Sequence, residues 1–128
     1  MKTIIRMAVI SMFMFLAAPA WSDKAIHIYH CEQEDDATDE ALEAIASEWL
    51  KAAKTMKGGK NLKVLLYFPI AVELGEHDFL FMVVAPDFEQ MGAFLDAYSG
   101  SILEDIDDKF DELAACPDSA MWEAVAVK

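Results

Sequence analysis

Arginine is almost absent. Arg6 is the single one in 128 residues, so the planar fork that clamps phosphates and carboxylates is missing from everything downstream of it. Basic residues number 10 against 23 Asp and Glu, and the formal net charge of −13 repels phosphate backbones. That excludes a nucleic-acid partner held by charge. Histidine is scarce as well: His27, His30 and His77 are the only three. His27 and His30 stand three apart on a segment that reads as a strand, so they face opposite sides and cannot share a metal. A zinc site wants three or four ligands, and no metal is expected. The sequence holds no H-E-x-x-H, no G-x-S-x-G and no glycine-rich phosphate loop, so no cofactor is expected either. No apolar run reaches the ~20 residues of a membrane-spanning helix.

What is present begins at the first residue. Met1 to Arg6 is a short basic start, Met7 to Ala18 an apolar run, and Ala18-Pro19-Ala20 an A-x-A cleavage signal. That order predicts a secretory signal peptide over residues 1–20 and a single mature domain over residues 21–128. The destination is periplasmic or secreted, with no membrane association after the leader is removed. Losing Lys2 and Arg6 takes the net charge from −13 to −15. The 55% of hydrophobic residues is a globular composition, which excludes disorder as the cause of the acidity.

Lys24 to Cys31 alternates and predicts a strand: Ile26, Ile28 and His30 share one face, His27, Tyr29 and Cys31 the other. Glu32 to Asp36 reads as a loop. Thr38 caps a helix with Asp39 and Glu40 in its first turn and Leu42, Ile45, Trp49, Ala53 and Met56 as its apolar stripe. Gly58-Gly59 stops it. Leu62 to Phe68 predicts a second strand, and Pro69 assigns it to a sheet edge. After a turn at Gly75-Glu76, Asp78 to Ala85 is apolar on both faces, the pattern of a central strand. Asp87 opens a helix with Phe88, Met91, Leu95 and Tyr98 on its stripe. Ser101-x-x-Glu104 is a capping box for a further helix bearing Ile102, Ile106, Phe110 and Leu113. Pro117 breaks the chain, and Ala120 to Val127 is the last strand.

The order β-α-β-β-α(α)-β is that of an α+β ferredoxin-like fold, with its helices on one face of an antiparallel sheet. From Lys24 to Lys128 the chain resembles the dimeric α+β barrel superfamily, in which two such sheets face each other and enclose a pocket. Its members include cofactor-independent monooxygenases of the antibiotic-biosynthesis type, haem-handling enzymes, and ligand-binding or stress-response domains. The resemblance implies sheet order 4-1-3-2 and a homodimer. It also implies that Cys31, ending the first strand, and Cys116, just before the last, lie at the same end of neighbouring antiparallel strands. An exported chain with two mature cysteines oxidises them, so a Cys31–Cys116 disulfide is expected. A redox pair would instead need a close C-x-x-C or a neighbour that stabilises the thiolate.

Two acidic runs lack calcium-loop spacing. Glu32 to Glu43 reads as a solvated loop entering a helix, and Glu104 to Glu112 as the wet face of an amphipathic helix, neither of them a site. Five lysines between Lys51 and Lys63 match a helix C-terminus and a solvated turn. One constellation remains. If Ile26 and Ile28 pack on the helices, His27 and Tyr29 lie on the open sheet face, joined by Tyr67, Leu65 and either Trp122 or Glu123. Such a face calls for a cover, either a second subunit or a ligand. The expected function is binding of a small apolar or aromatic ligand through His27, Tyr29 and Tyr67. The alternatives are a monooxygenase-like enzyme with His27 as general base, and an acidic module for a cationic protein partner.

Overall fold

The computed structural model describes residues 23–70 and 78–127. The leader over residues 1–20, His77 and the Gly75-Glu76 turn lie outside the described residues. Four strands, β1 (Lys24–Gln33), β2 (Lys63–Tyr67), β3 (Asp78–Ala85) and β4 (Ala114–Ala124), form one sheet in the order β2-β3-β1-β4. That is the expected 4-1-3-2 read from the other edge, and every neighbouring pair is antiparallel. Three helices, α1 (Asp39–Ala53), α2 (Phe88–Asp96) and α3 (Ile102–Asp111), cover one face. β3 carries Phe79, Phe81, Val83 and Ala85 into the core beneath them. Leu80, Met82 and Val84 point the other way.

The helix starts follow their capping residues. The Ala41 N–H donates to Thr38 Oγ1 at 3.1 Å and the Gln90 N–H to Asp87 Oδ1 at 2.8 Å. At α3 the Leu103 N–H donates to Ser101 Oγ, but Glu104 reaches back to the Gly100 N–H at 2.9 Å, one residue further than a capping box requires. Gly58 does more than end a helix. Its φ is +76°, and a Cβ there would stand 2.5 Å from both Gln90 O and Phe94 N, so only glycine lets this turn pack on the backbone of α2.

Several boundaries differ from expectation. α1 ends at Ala53, so Met56 and Lys57 lie in the turns after it. The buried stripe of α2 is Met91 and Phe94, while Phe88 and Leu95 are exposed. β1 continues through Glu32 and Gln33, which take partners in β4. The largest correction concerns β4, which starts at Ala114 and runs through Pro117. Register places His30 against Asp118 and Glu32 against Ala115, leaving Cys116 and Pro117 together opposite Cys31. This is a β-bulge on an edge strand, where a missing N–H breaks no obligatory ladder bond. The extra residue also switches side-chain parity, which turns Cys116 toward the face Cys31 occupies. The two sulfurs are joined at 2.03 Å.

Candidate functional site

A pocket of about 280 Å³ opens between the helices and the sheet. β1 contributes Tyr29 and β3 Phe81. α1 contributes Trp49, and the chain after α2 brings Tyr98. Asp107, Phe110 and Asp111 come from α3 and Cys116 from β4. The rings meet near right angles: Trp49 on Phe81 at 5.4 Å and 83°, Phe110 on Phe81 at 5.5 Å and 76°. Edge-to-face contact of this kind fixes the walls, because each ring's positive edge rests on its neighbour's negative face.

Trp49 is almost fully buried, so its indole N–H needs an acceptor. Asp107 Oδ1 supplies it at 3.0 Å. Burial pushes the Asp107 carboxyl up to about 6; the Trp49 bond opposes that shift, while the charges of Asp111 and Asp108 add to it. Tyr29 is pushed up to about 12, by burial first and the Asp107 charge second, and stays a neutral phenol. Its hydroxyl lies 3.1 Å from His27 Nδ1, and His27 Nε2 lies 3.1 Å from Ser119 Oγ. Burial holds the imidazole below its ordinary value, so it is neutral at pH 7. In one tautomer Tyr29 donates to Nδ1 and Nε2–H donates to Ser119. In the other, Ser119 donates to Nε2 and Nδ1–H donates to Tyr29, which frees the phenol proton for the pocket.

The expected site residues therefore separate. His27 and Tyr29 do meet, but on the helix-covered face, since they pair with Val83 and Phe81 of the core. Ile26 and Ile28 take the open face instead. Tyr67 pairs with Leu80 and stands on that open face with Leu65, across the sheet from Tyr29. His30 is there too, 3.9 Å from Asp78 Oδ2. Trp122, opposite Ile26, is the β4 residue on the open side, and Glu123 is not. Asp107 and Trp49 were missed. Asp107 had read as part of a wet helix face, but it sits one residue from buried Ile106 and three from buried Phe110, at the border of the stripe that α1 covers. Among the described residues no group of three or more His, Cys, Asp or Glu side chains could hold a metal ion.

The raised Asp107 pKa has a measurable consequence. Its folded value lies above the ordinary 3.8, so the native state holds the proton more tightly than the unfolded chain does. Stability is fully present below pH 3.8 and falls as pH rises to about 6. Asp107→Asn, which can still accept the Trp49 bond, should exceed the wild type at pH 8 by on the order of 1 kcal/mol, after discounting for a half-exposed group. The two should match at pH 3.5. Urea unfolding at both pH values reads the difference. A variant weaker at pH 8 would mean that the bond from Trp49 to a charged acceptor outweighs the burial.

No family model and no curated protein sequence matches the chain. Solved structures do match. SnoaB, a cofactor-independent oxygenase from Streptomyces nogalater, superposes with a TM-score of 0.52 at 10% identity, over 84% of this chain and 96% of its own. A protein of unknown function from Nitrosomonas europaea gives 0.53 at 17% identity, over 84% and 94%. A conserved protein from Bacteroides thetaiotaomicron, described as a possible oxidoreductase, gives 0.51 at 13%, over 81% and 99%. The chain has the ferredoxin-like α+β fold. At these identities the likeness is one of fold, and the chemistry has to be argued from the pocket itself.

Proposed function

We propose that this chain is an exported, homodimeric α+β domain that takes a small aromatic ligand into the pocket between its helices and its sheet. The observation that carries this reading is the lining: five aromatic rings around about 280 Å³, with the Asp107 carboxylate set among them. The volume lies just below the usual range of ligand sites, roughly 300–1,000 Å³, and fits a compact ring compound better than a long chain. Asp107 accepts a hydrogen bond from a ligand hydroxyl or amine, and the rings stack on the rest. Titration calorimetry with 4-tert-butylphenol should give saturable binding of one molecule per chain. Absence of saturable heat up to millimolar ligand would count against the pocket. Export is supported by the leader pattern and by the disulfide, which forms in oxidising compartments.

An oxygenase-like enzyme is the second reading, favoured by the His27–Tyr29 hydrogen bond at the pocket wall and by the fold shared with SnoaB. A neutral His27 is in the protonation state of a general base, and it reaches a ligand through the Tyr29 phenol. Oxygen uptake in the presence of a bound phenol, lost in His27→Ala, separates this reading from simple binding.

A further inference from the structure

We propose that the pocket selects organic cations, with a quaternary or protonated amine seated against its rings and facing Asp107 and Asp111. This rests on the pocket being a ligand site and names the class of ligand. Five rings line the space, with Tyr29, Trp49 and Phe110 each standing at 74–83° to Phe81, and aromatic faces attract a cation placed within about 6 Å of the ring centre. Asp107 and Asp111 lie four apart on α3, on the same side of the helix, and both line the pocket. Among the described residues no lysine, arginine or histidine lines it. Asp107 has the Trp49 N–H as its hydrogen-bond donor, and among the described residues neither carboxylate is paired with a cation. Lys109, between them in sequence, is committed to Glu48 of α1 at 2.9 Å.

The alternatives fit less well. An anionic ligand would meet two carboxylates and a net charge of −13, with no positive side chain among the described lining residues to hold it. A hydrated metal ion would need more oxygen ligands than two carboxylates and a ring of hydrocarbon provide. A quaternary ammonium has no N–H to hydrate and loses little on entering an apolar box, while it gains both the ring faces and the carboxylates. The acidic surface raises its local concentration.

The same arrangement sets a pH dependence. Asp107 is surrounded by Asp108 and Asp111 on its own helix, by the neutral Tyr29 of β1, and by the Trp49 N–H of α1, where Glu48 is held by Lys109. β3 and β4 offer Phe81 and Cys116, both uncharged. Burial first, and the charges of Asp111 and Asp108 after it, keep the Asp107 proton on; a bound cation favours the carboxylate, so cation affinity rises with pH between 5 and 7.

Calorimetry with (4-hydroxyphenyl)trimethylammonium and its neutral isostere 4-tert-butylphenol tests this, on the full mature chain at pH 7. The cation should bind at least tenfold tighter than the phenol, and Asp107→Asn should bring the two within threefold. The urea measurement at pH 8 verifies that the variant is folded. Equal affinities in the wild type would overturn cation selection while leaving the aromatic pocket standing. No binding of either compound would overturn both. A cation preference that persists in Asp107→Asn and in Asp111→Asn would come from the general surface charge, and the assignment to this pocket would fall.

Discussion

Replacing both cysteines, Cys31→Ala with Cys116→Ala, should lower the unfolding free energy by about 2–5 kcal/mol. The bridge spans a sequence separation of 85, for which the chain-entropy estimate is about 4–5 kcal/mol. Location adds a second reason. β4 is an edge strand whose residues are mostly exposed, so few buried side chains hold it to the sheet. The bridge ties it to β1 at the bulge, where the ladder is interrupted. Cys31 is itself in the core, and Cys116 lines the pocket, so the variant should also weaken 4-tert-butylphenol binding. Urea unfolding gives the number; if the leader is removed as expected, the intact mass of protein from the exported fraction should start at Trp21. A loss below 1 kcal/mol, or two free thiols in the wild-type protein, would remove the bridge from the account.

The disulfide was legible in the sequence because it follows from topology: neighbouring antiparallel strands bring the two positions together whatever the side chains between them do. Element order was legible for a similar reason, since caps, stripes and alternation are local signals that the tertiary fold left intact. The position of β4 was not. Pro117 reads as a breaker, but an edge strand with a bulge opposite Cys31 absorbs it without losing an obligatory hydrogen bond. Strand propensity alone cannot distinguish those two contexts.

The face of β1 was misassigned for a different reason. Its alternation is clear, but both sides are partly apolar, and hydrophobicity favoured Ile26 and Ile28 for the interior. Half-polar His27 and Tyr29 are there instead, because they satisfy each other and Ser119 by hydrogen bonds. Cys31 held the usable signal. It shares parity with Tyr29, and a bridged cysteine belongs in the core. Asp107 was hidden by the same kind of ambiguity, since a carboxylate at the border of a helical stripe looks solvated until the neighbouring helix is placed. Buried Trp49 was the clue, because its N–H required an acceptor.

Met82→Asp should convert a dimer into a folded monomer. Met82 lies mid-strand in β3, paired with Ile28 of β1 and Leu65 of β2, all on the face the helices leave open. Tyr67 and Trp122 stand on the same face at 51% and 56% exposure, with Leu65 at 43%, so large apolar side chains are exposed at both edges of this face, beside the polar pair His30 and Asp78. A second copy of the sheet is the simplest cover, through a two-fold contact in which each residue meets the same patch on its partner. Burying several side chains of this size contributes roughly 1.5–3 kcal/mol each, enough to offset repulsion between two acidic chains. A carboxylate at position 82 would be desolvated twice across the axis, so association should weaken by at least a hundredfold. Circular dichroism should be unchanged, because Met82 points away from the core. Repulsion is screened by salt and apolar burial is not, so the wild-type dimer should also tighten as ionic strength rises. Sedimentation across a salt series at micromolar protein measures both effects. A wild-type monomer at every salt concentration would mean that this face is not closed by a second sheet, and the two-sheet barrel would fall with it.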